Sequence, residues 1–231
     1  MIESEGKIYF SYSLWGSLPK YTRGMIINSQ ILYKLFPESV IQIYVAEDVP
    51  ADIIKNLLEI PIVKIVNVLK KPGIQNMFDR FKAIDEPDCS IMFVRDADSR
   101  PHERDLSCME DFIKSDKQLH IVRDHDAHRA PILGGLWGMR KSGLHVSMTE
   151  LIDEWFKNNS GSLKKKKIDQ YFLAEIFYPR LKSNAVIHDR FKRHEDPQLQ
   201  SPFRVPIKKR LFCGQVHLFD ESGNEYLEFR P

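Results

Sequence analysis

Cys89-Ser90-Ile91-Met92-Phe93-Val94-Arg95-Asp96-Ala97-Asp98-Ser99-Arg100 is the stretch from which the fold of this chain is read. The apolar run Ile91 to Val94 is too short for a usual helix and suits a strand buried on both faces; it breaks at once into Arg, Asp, Ala, Asp. The carboxylates are therefore expected at the strand's C-terminal end, the edge where open α/β sheets bind ligands. Asp96 and Asp98 are spaced so that both face one cation if the chain curls there, and hard ions such as Mg2+ or Mn2+ take oxygen ligands and carry phosphate oxygens as the others. An Asp-X-Asp metal site for a nucleotide diphosphate is one reading. A solvated turn is the other, and the tripeptide alone does not choose between them.

At 231 residues the chain is long enough for one large domain with a real core. Its 42% hydrophobic and 29% charged residues are ordinary for a globular protein, and a net charge of +2 argues against a nucleic-acid coat. Cys89, Cys108 and Cys213 form neither a Cys-X-X-Cys pair nor a disulfide framework, which fits a reducing compartment. Met1 to Lys7 does not read as an export signal, and no run approaches the ~18 apolar residues of a membrane span. A cytoplasmic location without a membrane anchor is the expectation.

Outward from the central stretch, strands and helices alternate. Lys7 to Tyr12 reads as a strand, followed by the small-residue loop Ser13 to Pro19; Tyr21 to Phe36 has helical spacing and stops at Pro37. Val40 to Val45 is a strand, Pro50 opens a helix that stops at Pro61, and Ile62 to Val68 is a third strand. After the turn Lys71-Pro72-Gly73, Met77, Phe78, Phe81 and Ile84 define a short helix carrying Arg80 and Lys82. Arg80 either reaches a diphosphate or the acids of the metal site, or sits on a solvated helix face. The order predicts a largely parallel central sheet with helices on its faces.

Beyond the Asp-X-Asp stretch, a helix over Pro101 to Lys114 precedes a strand Leu119 to Val122 that ends in Arg123-Asp124-His125. Pro131 to Met139 is apolar with three glycines, either a bent strand with packing glycines or a place where backbone approaches a ligand. Met148 to Phe156 reads as a helix, Asn158 to Ser162 as a connector, and Lys164 to Lys167 as a solvated run or a support for phosphate. A helix over Asp169 to Tyr178 and a strand Asn184 to Ile187, capped by His188-Asp189, follow. Residues 191–231 form a C-terminal extension on the same domain, with a hairpin-like ribbon around Glu221 to Asn224. His125-X-X-His128 has too few ligands nearby for a zinc site.

Taken together, Phe10-Ser11-Tyr12-Ser13-Leu14-Trp15-Gly16, Arg95 to Arg100, His120 to His125 and Pro131 to Gly138 resemble the small GT-A glycosyltransferases of bacteria and large algal viruses, including an N-terminal glycosyltransferase domain of chlorella viruses. A looser likeness is to the glycogenin-like retaining transferases of family eight. The likeness covers residues 7 to 190, and the ordered string of motifs is more specific than any one of them.

The resemblance implies a GT-A fold and a metal-dependent transfer of sugar from a nucleotide-diphosphate sugar, with a UDP-sugar favoured, to a glycan, glycoprotein or other hydroxyl acceptor. It implies that Asp96 and Asp98, flanking Ala97, bind Mn2+ or Mg2+, and that His188 completes the metal site. Ser11, Leu14 and Trp15 match the first nucleotide-contacting loop, Gly134 and Gly135 the segment beside the donor sugar, and Asp169-Gln170 a pair near the reacting sugar, although Lys164 to Ile168 depart from the family pattern. Asp124 and Asp169 are the two candidates for catalytic carboxylates; retention of configuration, which needs no strong base, is expected. The competing readings are a metal-dependent nucleotidyltransferase, for which Ser13 to Pro19 lacks the glycine-rich basic loop, and a non-catalytic nucleotide-sugar binding module.

Overall fold

The structure is a computed structural model that describes residues 6–68, 73–159, 167–194, 199–208 and 211–228, the side chains of Ile74 and Gln75 excepted. The turn at Lys71-Pro72, most of the connector, lysines 164–166 and Phe229 lie outside the described residues.

A seven-stranded sheet is built from β1 (Lys7–Leu14), β2 (Val40–Ala46), β3 (Val63–Val68), β4 (Cys89–Arg95), β5 (Leu119–Arg123), β6 (Leu136–Arg140) and β7 (Ala185–Asp189), in the order β3-β2-β1-β4-β6-β5-β7. All neighbours are parallel except β6, which runs antiparallel to both β4 and β5. The helices are α1 (Pro19–Leu35), α2 (Ala51–Leu58), α3 (Glu103–Lys114), α4 (Met148–Asn158), α5 (Ile168–Ile176) and α6 (Tyr178–Leu181). The mainly parallel sheet flanked by helices is the expected α/β architecture. Some details differ from the sequence reading: the short helix before β4 is a 3-10 helix, Ile74–Asp85, Pro50 precedes α2 as its N-cap instead of opening it, and the helix expected over Asp169 to Tyr178 is two, α5 and α6.

The sheet separates two apolar layers, and β4 shows why its apolar run needed both faces. Ile91 and Phe93 point into a layer with Phe10, Tyr12, Ile41 and Phe112, while Met92 and Val94 point into the other, with Phe78, Phe81, Trp137 and Phe172. Alternation along a pleated strand forces this division. Each fully buried Phe contributes about 1.5–3 kcal/mol relative to exposure, so the aromatic group around Phe78 and Phe81 fixes the 3-10 helix against the sheet. Gly138 of β6 lies opposite Phe93, where a Cβ would come within 2.7 Å of Met92 O; this glycine is a packing glycine.

Residues 211–228 return to the C-terminal edge of the sheet. A two-stranded ribbon, β8 (His217–Phe219) and β9 (Glu225–Leu227), lies against α1 and the turn after β4, with Val216 bridged to Ser99. Among the described residues no helix is long and apolar enough to cross a membrane.

Candidate functional site

The Asp-X-Asp turn leaves β4 at the C-terminal edge of the sheet and is held almost entirely by its carbonyls. Ala97 O accepts from Asn28 Nδ2 (3.3 Å) and Arg100 Nη1 (3.0 Å), Ser99 O accepts from the same Arg100 nitrogen (3.0 Å), and Asp98 O accepts from His217 N (2.8 Å). Gly24 of α1 lets the turn sit so low, because a Cβ there would lie 2.3 Å from Ala97 O. With its backbone bonded below, the turn is free to present Asp96 and Asp98 upward. Arg95 does not join them: its buried guanidinium turns back to fork onto Asp105 (3.0 and 3.1 Å).

Two adjoining cavities meet at this turn. The first, about 240 Å³, is lined by Ser13, Leu14, Trp15, Tyr21 and Met77; the second, about 300 Å³, by His128, Leu133, Gly134, Gly135, Asp169 and Gln170. Arg80, Met77, Asp96 and Asp98 line both. The buried Arg80 guanidinium bridges two acids, donating from Nη1 to Asp96 Oδ1 (2.5 Å) and from Nη2 to Asp169 Oδ2 (3.3 Å). Ser11 lies beneath, its hydroxyl donating to Arg80 O, so it supports Arg80 and does not line either cavity.

Charge balance here is uneven. Burial, with Asp96 close by, pushes the Asp98 carboxyl above the usual range, although Lys20 Nζ stands 3.3 Å from its Oδ2. Burial likewise raises Asp169, and Arg80 only partly offsets it; Asp169 Oδ1 is buried without a hydrogen-bond partner among the described residues. The two glycines make this crowding possible. A Cβ on Gly134 would meet Asp169 Oδ2 at 1.9 Å, and one on Gly135 would meet Asp96 Oδ2 at 2.1 Å. They clear space for two carboxylates.

The structure thus brings Leu14, Trp15, Arg80, Asp96, Ala97, Asp98, Gly134, Gly135 and Asp169 to one place. It does not bring Asp124 or His188 there. Asp124 is fully buried in a fork with Arg104 (2.6 and 2.7 Å) and also accepts from Cys213 N (3.0 Å), so both oxygens are consumed by structural bonds. His188, on β7 opposite Val122, is fully buried with Nε2 3.2 Å from Asp111 Oδ2 and its ring against Phe203, and it lines neither cavity with Asp96 and Asp98. The acidic strand ends that suggested these residues are ion pairs with neighbouring strands and helices, as Arg123–Asp189 (2.8 Å) also is. Sequence reasoning missed the parts played by Gly24, Asn28, Lys20, Arg100 and the Gly214 to His217 segment; the place of Arg100 two residues past Asp98 was a signal for it.

Among the described residues no group of three or more His, Cys, Asp or Glu side chains is arranged to hold a metal ion. The pair Asp96 and Asp98 nevertheless fits an ion of the Mg2+ or Mn2+ kind, which is commonly held by one or two carboxylates with the rest of its shell from phosphate and water. Burial first, and the charge of Asp96 second, raise the Asp98 carboxyl, and a cation held there would offset both.

No protein-family model and no curated protein matches the chain. Solved structures do match. A glycosyltransferase involved in the glycosylation of the major capsid of PBCV-1 superposes with a TM-score of 0.54 at 13% identity, over 79% of this chain and 82% of that one. The 4-diphosphocytidyl-2C-methyl-D-erythritol synthase of Anaerococcus prevotii gives 0.50 at 15% identity, over 81% and 91%. A mannosyltransferase of Pyrobaculum calidifontis, in complex with GDP-Man and Mn2+, gives 0.50 at 9% identity, over 90% and 59%. These likenesses establish the GT-A fold.

Proposed function

We propose that this chain transfers a sugar from a nucleotide-diphosphate sugar, a UDP-sugar in the first instance, to a hydroxyl of a glycan or glycoprotein, using Mn2+ or Mg2+ and retaining the anomeric configuration. The observation that carries the reading is the pair of cavities sharing Arg80, Asp96 and Asp98. The compartment with Leu14, Trp15 and Tyr21 suits a nucleoside, the polar compartment with Gly134, Asp169 and Gln170 suits a sugar, and the charged residues between them suit the diphosphate.

Asp96 and Asp98 would hold the ion, which when bound supplies positive charge to neutralise the departing diphosphate. Lys20 and Arg80 add two protein cations beside the same position. Asp169 orients sugar hydroxyls through its unpartnered Oδ1 while Arg80 holds its other oxygen. Retention is supported by where the acids lie: Asp124 is locked to Arg104 outside the cavities, and the carboxylates in the sugar compartment are Asp96, Asp98 and the Arg80-paired Asp169.

The test is release of nucleotide diphosphate from a panel of nucleotide sugars with and without Mn2+, followed by NMR of the product anomer. Mn2+-dependent release that disappears in Asp98→Asn is expected. Pyrophosphate formation from a nucleoside triphosphate and a sugar phosphate would replace this reading with a nucleotidyltransferase, and tight nucleotide-sugar binding without turnover would leave a binding module.

A further inference from the structure

We infer that Glu225, on the C-terminal ribbon, is a positioning residue that sets how firmly Asp98 holds a divalent cation. The inference rests on the proposed metal site and concerns a residue far from it in sequence. Arg100 is the structural link. Its side chain is 5% exposed, its Nη1 is committed to the turn carbonyls of Ala97 and Ser99, and its Nε donates to Glu225 Oε1 at 2.7 Å. Glu225 is the ion-pair partner of Arg100 among the described residues.

A buried guanidinium needs a carboxylate, and removing one partner of such a pair leaves an uncompensated charge. The next acid along the chain from Arg100 is Asp98. With Glu225 in place, Arg100 binds the turn through carbonyl oxygens and leaves the Asp98 carboxylate to the cavity side, near Lys20. Without that charge, Arg100 competes with a metal ion for Asp98. The ribbon is fastened for this duty at further points. His217 N donates to Asp98 O (2.8 Å), Val216 bridges Ser99, and the guanidiniums of Arg23 and Arg100 stand 5.7 and 6.0 Å from the Phe219 ring centroid. Glu225 belongs to neither apolar layer and its side chain is 32% exposed, so its charge can be removed with the core untouched.

The experiment measures Mn2+ binding by the EPR signal of free Mn2+ in the presence of UDP, for wild type, Glu225→Gln, Glu225→Asp and Asp98→Asn, with circular dichroism to follow the fold. Residues that orient metal ligands are worth about 10–100-fold in metal affinity. Glu225→Gln is expected to bind Mn2+ about tenfold more weakly and to need correspondingly more Mn2+ for turnover, with kcat at saturating Mn2+ within about twofold of wild type. Glu225→Asp should recover most of the affinity. Wild-type affinity in Glu225→Gln while Asp98→Asn has lost binding overturns the inference alone, as does a loss that Glu225→Asp does not recover. Equal Mn2+ binding by wild type and Asp98→Asn overturns the proposed metal site itself.

Discussion

Asp124→Asn separates a structural acid from a catalytic one. Asp124 is fully buried, Arg104 has a 7%-exposed side chain, and the two meet through paired contacts of 2.6 and 2.7 Å, while Cys213 N adds a bond at 3.0 Å. An amide keeps one acceptor oxygen for Cys213 but turns an NH2 toward the guanidinium, leaving the Arg104 charge unneutralised. Breaking a buried pair in this way costs about 3–5 kcal/mol. For a domain of this length each kcal/mol lowers the melting temperature by about 2–4 °C, so a fall of about 6–20 °C is expected. The rate of sugar transfer per folded molecule, measured in single turnover well below the new transition, should stay near wild type. A general base is worth about 100- to 10,000-fold. An Asp124→Asn protein with unchanged melting temperature and a rate lowered into that range would refute the structural assignment.

Asp98→Asn should abolish Mn2+-dependent turnover yet raise the melting temperature at neutral pH. The folded-state pKa of Asp98 lies above its unfolded value, so ionising it costs folding stability as pH rises through the folded pKa, and an amide escapes that cost; a lower melting temperature at pH 7 would contradict this. Gly135→Ala places a methyl 2.1 Å from Asp96 Oδ2, a shift of the kind that costs about 100-fold in rate, and it should lower kcat far more than the melting temperature. For His188, burial lowers the pKa but the Cys108 and Asp111 partners outweigh it and raise it overall. Its contribution to stability is therefore full below the unfolded histidine pKa and fades as pH rises through the folded one. His188→Asn should destabilise more in urea melts at pH 6 than at pH 9, with Mn2+ affinity unchanged; weakened Mn2+ binding would restore it as a ligand.

The sequence by itself determined the order of strands and helices and the place of the Asp-X-Asp pair at a strand end. Those features are local: the apolar run Ile91 to Val94, the proline stops at Pro37 and Pro61, and helical spacing in α1 each reflect neighbours along the chain. The glycine pair beside the cavity and Arg80 were visible as residues, and a reach of Arg80 to the metal-site acids was one of its readings, but which carboxylates each of them meets was not. Gly134 and Gly135 make room for carboxylates, and Arg80 bridges Asp96 and Asp169, a partner 89 positions away. Nor was it visible which acids are open to the cavity. Asp96 and Asp124 follow β4 and β5 and Asp189 ends β7, yet Asp124 is bound to Arg104 and Asp189 to Arg123 away from the cavities, while Asp96, paired with Arg80, lines them. That difference is made by tertiary structure, because the free energy of a buried charge depends on the partner that the sheet register and helix packing bring to it, and those partners lie far away in sequence. The antiparallel β6, inserted between β4 and β5, belongs to the same class of fact: an apolar strand of that length pairs in either direction, and only its neighbours in the folded sheet decide which.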